Sequence, residues 1–278
     1  MVRTAIRGFP CVVFWKNTIN NNITFLGTYN FNDDKSNENV FGFDREKYPK
    51  CECVEFCNNT SDRVLFNKSE YEEWGTDEDG EPIEAWRLDF EYRFPDLDDP
   101  YKDYTNFKRM TDWVVSTNRA LATDETLETS VVIPHWNTGV TTTFTADSAD
   151  YRLSKFKAEF EEYFIKDAMI FYYLFTEIFL LMDNRAKNLF LTTFDGDHWF
   201  PIPYDMDSAL GINNEGELDF EYDLEDTDTV NGKEVFTGQR SALWHNVRDC
   251  FVSERRAMYQ SLRGSNKLSY NALNEKML

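Results

Sequence analysis

The chain lacks most of the short motifs that mark familiar catalytic and nucleotide-binding sites. It contains no G-x4-G-K-[ST] phosphate loop, no G-x-G-x-x-G loop and no G-x-S-x-G nucleophile turn. Its three histidines are scattered at positions 135, 198 and 245, which disfavours a histidine-based metal site. No apolar run reaches the roughly 18 residues of a membrane-spanning helix, so we expect no membrane span.

Cysteine is also scarce. The chain has five cysteines, and an odd number argues against a closed disulfide framework. Cys51, Cys53 and Cys57 could in principle hold a metal, but no second pair lies nearby at the spacing of a zinc site. We therefore expect reduced thiols that contribute to packing.

Basic residues are few for a chain of this length. The 278 residues include 29 Lys and Arg against 50 Asp and Glu, which gives a formal net charge of −21. This acidic protein would repel a phosphate backbone, so we expect no nucleic-acid partner. Fourteen acids lie in residues 70–103, where the pattern indicates a solvated excursion, and eight lie in residues 215–228. A Ca²⁺-dependent binding module at residues 215–228 stays open as a lesser alternative, although the D-x-[DN]-x-[DN]-G loop is missing.

The hydrophobic patterns predict an α+β fold. Apolar runs at residues 9–15 and 24–32 predict a buried N-terminal hairpin, and residues 51–57 and 63–67 predict two further strands. Helical periodicity marks residues 104–118, 151–182, 244–251 and 254–263. The longest of these should break near Asp167 and be buried on all sides over residues 168–182. We predict a β-rich lobe with an acidic insertion (1–118), a Thr- and Ser-rich connector (119–150) and a helical lobe (151–278).

Residues 180–211 carry the strongest candidate site. The end of the long helix leads to Asp183 and Asn188, two apolar extended segments flank a turn near Asp195, and Asp205 and Asp207 follow. A hairpin would bring Asn188 and Asp205 together. Mg²⁺ binds one or two carboxylates together with phosphate oxygens, and phosphoryl transfer needs a carboxylate beside the attacking hydroxyl. The alternative is that these residues are ordinary turn and cap residues.

Each residue of the stretch receives a provisional role. Asp183 is the candidate catalytic carboxylate, and Arg185 and Lys187 are basic residues that could reach a transferring phosphate. The candidate metal-binding residues are Asn188, Asp205 and Asp207. The candidate for binding the nucleotide phosphates is Lys35, which follows the first hairpin.

Three parts of the stretch resemble the catalytic and metal loops of the CotH (spore coat protein H) kinases, an atypical protein-kinase-like family. They are DNRAKN at 183–188, WFPIPYDMD at 199–207 and ALG at 209–211. GFP at 8–10 and LGTY at 26–29 are similar to the family's early hairpin. Residues 27–44, 55–66 and 171–216 resemble minor structural proteins of tailed bacteriophages and their prophages.

The resemblance implies a two-lobed kinase-like fold, with an N-terminal antiparallel-sheet lobe and a mainly helical C-terminal lobe. It implies ATP and Mg²⁺ as cofactors and phosphoryl transfer to Ser or Thr of a protein. It places Asp183 at the catalytic position, and Asn188 and Asp205 at metal positions. It also implies a segment of a longer virion protein, made in the bacterial host cytoplasm, with other virion proteins or a protein substrate as partners.

The same resemblance leaves a second hypothesis open, in which the fold is an inactive scaffold or host-contact module. The family's His or Gly before the catalytic acid is replaced by Leu181-Met182. A Lys–Glu pair that would clamp the nucleotide is not identifiable in the sequence.

Overall fold

The computed structural model describes residues 8–32, 38–58, 60–95, 103–135, 138–181, 183–206, 208–212, 229–230, 233–234 and 241–277. The strands are β1 Gly8–Lys16, β2 Ile23–Asn32, β3 Glu52–Phe56, β4 Trp74–Thr76, β5 Pro82–Glu84, β6 Phe90–Phe94, β7 Thr126–Pro134, β8 Thr141–Ala146, β9 Leu189–Thr193, β10 Phe200–Pro203, β11 Thr229–Val230 and β12 Lys233–Glu234. The α-helices are α1 Glu38–Phe41, α2 Thr105–Ser116, α3 Ala149–Glu159, α4 Lys166–Ile178, α5 Ala242–Cys250, α6 Val252–Gly264 and α7 Tyr270–Met277.

The fold is a mixed α+β arrangement, with antiparallel sheets in the N-terminal part and most helices toward the C-terminal part. This confirms the coarse fold class. A four-stranded antiparallel sheet in the order β10-β9-β3-β6 lies at the centre. The predicted division at residues 118 and 150 stays a prediction. The sheet itself takes β3 and β6 from before residue 118 and β9 and β10 from after residue 150.

Both faces of the central sheet are covered. Val54 and Phe56 of β3 face the larger core cluster, which includes aromatic side chains from α2, α3, α4 and α5. Cys51 and Cys53 lie in a smaller cluster on the other side, with Phe41 and residues of β9 and β10. Because both faces are buried, all five β3 residues are buried, including Glu52 and Glu55.

The helical predictions are largely confirmed. The predicted helix at 104–118 is α2, and the long helical stretch breaks before Asp167 into α3 and α4. The two later helices are α5 and α6. None of the described helices combines the length and the apolar character that a bilayer crossing requires.

Three sequence-based expectations were wrong in detail. Residues 63–67 form turns instead of a strand, because the backbone amide of Asn67 bonds to the Asp62 carbonyl and Phe66 has a φ of 58°. Helix α4 ends at Ile178, and it is not buried all round, since Phe171 is 46% exposed. The β1–β2 hairpin exists, but its apolar side chains are exposed instead of buried, including Phe14 and Phe31.

Candidate functional site

The candidate site is built from two loops that meet at one end of the β9–β10 hairpin. The first loop, residues 183–188, connects α4 to β9. The second, residues 204–206, follows β10. Leu189 of β9 pairs with Pro203 of β10, so the residue before β9 and the residues after β10 are brought side by side. The hairpin that the sequence predicts is therefore present.

The first loop has no regular secondary structure, but buried side chains hold it on both sides. The Tyr172 hydroxyl of α4 donates a 2.6 Å hydrogen bond to the carbonyl of Asn184. The Trp244 indole of α5 donates a 2.7 Å hydrogen bond to the carbonyl of Arg185. These bonds satisfy carbonyls that would otherwise be buried without partners, and they fix the loop against two helices.

Asp183 and Asn188 are in direct contact across this loop. The Asn188 side-chain nitrogen donates a 2.9 Å hydrogen bond to Oδ2 of Asp183, and both residues are at least nine-tenths buried. The Lys187 ammonium lies 4.0 Å from the same carboxylate oxygen and is half exposed. The Asp183 carboxylate therefore has one oxygen oriented by an amide and a cation at its edge.

Asn184 connects the first loop to the second. Its side-chain nitrogen donates to the carbonyls of Tyr204 at 2.7 Å and Asp205 at 3.2 Å, and it lies 3.5 Å from the carbonyl of Asn188. Asp205 is thus held beside Asn188 through backbone contacts, and Asp205 itself is exposed. The structure brings together Asp183, Asn188 and the backbone of Asp205.

Backbone strain is concentrated here. Of the eight non-glycine residues with positive φ in the described part of the chain, four lie in this region: Leu180, Asn188, Asp205 and Leu210. Asn and Asp tolerate this conformation, whereas leucine does so at a cost. The backbone amide of Leu210 donates a 2.7 Å hydrogen bond to the Phe179 carbonyl, so the chain that follows the second loop contacts the end of α4. Such a concentration is characteristic of functional sites.

The far end of the hairpin is fixed by its turn. Asp195 Oδ1 accepts hydrogen bonds from the amides of Asp197 and His198 at 2.9 and 2.8 Å. Burial raises the pKa of the Asp195 carboxyl, but these bonds and the His198 side chain outweigh it and lower the pKa to about 2. The turn therefore holds the two strands in register, and register determines which residues meet at the opposite end.

Arg185 is placed differently from the sequence-based expectation. Its side chain is fully buried, and its guanidinium pairs with Glu177 and bonds to the Thr176 hydroxyl at 2.8 Å. It also lies over the Tyr173 ring, with a centroid distance of 4.2 Å. These contacts favour a structural role over contact with a phosphate. The predicted phosphate-binding residue Lys35 and the predicted metal ligand Asp207 lie outside the described residues.

The two loops carry residue types that could bind a cation together with a nucleotide. Within the described ranges, no group of three His, Cys, Asp or Glu side chains could enclose a metal ion. Mg²⁺ bound with a nucleotide does not require such a group, because phosphate oxygens and water supply most of its ligands. Asn188 and Asp205 lie on the two adjoining loops and carry an amide and a carboxylate, which are ligand types that such a cation uses.

The five cysteines are buried or half-buried. Burial raises the pKa of the Cys53 thiol to about 12 and that of Cys57 to about 11. All five thiols are free, which is consistent with packing as their contribution.

Sequence reasoning missed the side chains that hold the two loops. Tyr172 and Thr176 are polar residues four apart in a largely apolar helix, a spacing that places both on one face. That pattern could have shown that this face meets a polar loop. Asn184 carried no separate signal, because nothing in its neighbours distinguishes it from an ordinary turn residue.

A comparison with protein-family models gives no match, and no curated protein sequence matches the chain. The likeness to CotH kinases therefore stays an expectation.

Proposed function

We propose that the chain is a phosphotransferase domain that uses Mg²⁺ and ATP to phosphorylate Ser or Thr of a protein. The single observation that carries the proposal is the 2.9 Å contact between Asp183 and Asn188 beside the loop of Asp205. A buried carboxylate and a buried amide then lie beside a loop that carries an exposed aspartate. Phosphoryl transfer uses such groups as the base and the metal ligands, and it also uses a cation at the phosphates.

Asp183 is the proposed catalytic residue. Its Oδ2 is held by Asn188, so the carboxylate has a fixed orientation in which it can accept the proton of an attacking hydroxyl. The Lys187 ammonium lies 4.0 Å from the same oxygen, at the more exposed side of the loop. Arg185 helps to hold the loop of Asp183 in place through its hydrogen bonds to Thr176 of α4.

Asn188 and Asp205 are the proposed cation-binding residues. The side-chain nitrogen of Asn188 is committed to Asp183, so the amide oxygen is the atom left to bind a cation. Asp205 adds an exposed carboxylate from the adjoining loop. A bound Mg²⁺ would neutralise charge on the phosphates during transfer. We assign Asp207 and Lys35 supporting roles at the cation and at the nucleotide phosphates.

The sequence resemblance supports placing this domain in a phage virion protein with a two-lobed kinase-like fold. A second candidate function is an inactive scaffold or host-contact module of the same particle. One observation favours it: Arg185, a cation expected to reach a phosphate, is buried and paired with Glu177. The first candidate requires Lys187 or Lys35 to supply that charge.

Label transfer from radiolabelled ATP to protein acceptors in the presence of Mg²⁺ tests the proposal. We expect transfer by the wild-type protein and its loss in Asp205→Ala. Asp79→Ala is the matched control, because it removes one exposed carboxylate from the β4–β5 turn. Nucleotide binding at 100-fold above Kd should stabilise the wild type by about 2.7 kcal/mol. A wild type with neither transfer nor stabilisation would favour the scaffold.

A further inference from the structure

We infer that Asn184 is a positioning residue whose side-chain amide sets the distance between the catalytic loop and the cation-binding loop. This inference rests on the proposed function for its consequence, but the contact between the loops can be tested independently. Asn184 is fully buried and lies next to Asp183 in the chain.

The amide nitrogen of Asn184 is shared among three carbonyls from both sides of the site. It lies 2.7 Å from the Tyr204 carbonyl, 3.2 Å from the Asp205 carbonyl and 3.5 Å from the Asn188 carbonyl. An NH₂ group has only two hydrogens, so these acceptors converge on one donor group. A movement of either loop away from Asn184 by one ångström would break at least one of these contacts, since N–H···O hydrogen bonds are normally about 2.7–3.2 Å long.

The amide oxygen of Asn184 differs from the amide nitrogen in its hydrogen bonding. It is buried and has no hydrogen-bond partner among the described residues. A buried acceptor without a partner is destabilising, because it has lost its hydrogen bonds to water. The side chain therefore contributes little to stability as a whole, because its oxygen offsets what its nitrogen gains. Placing the two loops is the function that explains such an arrangement.

Two other side chains hold the catalytic loop through hydrogen bonds that end within that loop. The bond from Tyr172 ends on the Asn184 carbonyl, and the bond from Trp244 ends on the Arg185 carbonyl. Loss of either would loosen residues 183–188 without releasing residues 204–206. This difference makes Tyr172→Phe the matched control, because it removes one hydrogen bond to the same residue, Asn184.

The experiment compares Asn184→Ala, Tyr172→Phe and the wild type in two measurements. The first is hydrogen exchange. The second is Mn²⁺ binding in the presence of ATP, which electron paramagnetic resonance detects. Asn184→Ala should speed exchange in both 183–189 and 203–206, and weaken Mn²⁺ binding by about tenfold, as expected for the loss of about one net hydrogen bond. Tyr172→Phe should speed exchange only in 183–189 and weaken Mn²⁺ binding less than Asn184→Ala does, because the second loop keeps its contacts with the Asn184 side chain.

Unchanged exchange at 203–206 in Asn184→Ala would overturn the inference, as would equal loss of Mn²⁺ affinity in both variants. If Asn184→Ala does not fold, Asn184→Ser takes its place, since a hydroxyl keeps one donor. A wild type that binds no Mn²⁺ with ATP would overturn the proposed function instead. The exchange comparison would then still decide whether Asn184 joins the two loops.

Discussion

The side-chain amide of Asn188 donates a 2.9 Å hydrogen bond to the carboxylate of Asp183, and the two residues lie at opposite ends of one buried loop. The contact orients the carboxylate without neutralising it. We therefore expect Asp183→Asn to remove proton acceptance while keeping the loop intact. Phosphoryl transfer should fall by about 100-fold or more, the usual contribution of a positioned base.

The measurement for Asp183→Asn is the initial rate of label transfer, together with the thermal shift produced by ATP and Mg²⁺. Nucleotide-induced stabilisation should persist, because Asp183 is not among the proposed cation ligands. Full transfer activity in this variant would contradict the catalytic role of Asp183.

Arg185 and Lys187 lie two residues apart, but their replacement should have very different effects on the free energy of unfolding. Arg185→Ala removes a fully buried guanidinium and leaves Glu177 and Thr176 without it, so we expect a loss of about 3 kcal/mol in the free energy of unfolding. Lys187→Ala changes a half-exposed side chain and should stay within about 0.5 kcal/mol of the wild type. Urea unfolding followed by tryptophan fluorescence measures both.

The phosphoryl-transfer activities of the Arg185 and Lys187 variants distinguish a structural role from a role at the site. Lys187→Ala should lower label transfer at unchanged stability, since its ammonium lies beside Asp183. If Arg185→Ala were as stable as the wild type but failed to bind ATP, the guanidinium would have the phosphate role expected from the sequence.

Local patterns predicted much of the site. The hairpin around Asp195 follows from two apolar segments and a turn, and the order of Asp183, Asn188 and Asp205 along the chain then puts their backbones at one end. Helices α2, α5 and α6 follow from periodicity alone. These features depend on neighbours in the sequence, which a single chain displays.

Features that depend on distant partners were not predictable. The pairing of β3 with β9 joins residues that are more than 130 positions apart, and no local pattern specifies it. The exposed β1–β2 hairpin has the composition of a buried strand pair, because composition does not show what covers a surface. The role of Asn184 likewise depends on carbonyls that only the folded chain brings near it.

Gly196 should tolerate no side chain. It has a φ of 83°, and a Cβ there would lie 2.9 Å from the Asn106 side chain. Gly196→Ala should therefore cost about 2 kcal/mol or more, which combines backbone strain with displacement of Asn106. Gly80→Ala is the control, because Gly80 has a similar φ of 84° with nothing near its Cβ position. Thermal unfolding of both variants isolates the steric part, and equal losses would show that Asn106 moves freely.

Glu52 gives the folded protein a pH-dependent stability. Its carboxyl is buried in the central sheet and accepts hydrogen bonds from Asn106 at 2.7 Å and Tyr92 at 3.2 Å. Burial is the main cause that raises its pKa from 4.5 to about 7, and Asp103 raises it further, while the two hydrogen bonds and Arg45 oppose the shift. Between about pH 4.5 and 7 the folded state therefore holds more protons than the unfolded state.

This difference in proton binding determines the direction in which stability changes with pH. The free energy of unfolding should fall as pH rises through that window, because deprotonation leaves a buried charge. Glu52→Gln has no such charge, so its stability should lack this contribution over the window and exceed that of the wild type at pH 8 by up to about 3 kcal/mol. The exposed Glu81→Gln should keep the wild-type slope. Chemical denaturation from pH 4.5 to 8 measures all three, and a wild-type slope that survives in Glu52→Gln would assign the pH dependence to another group.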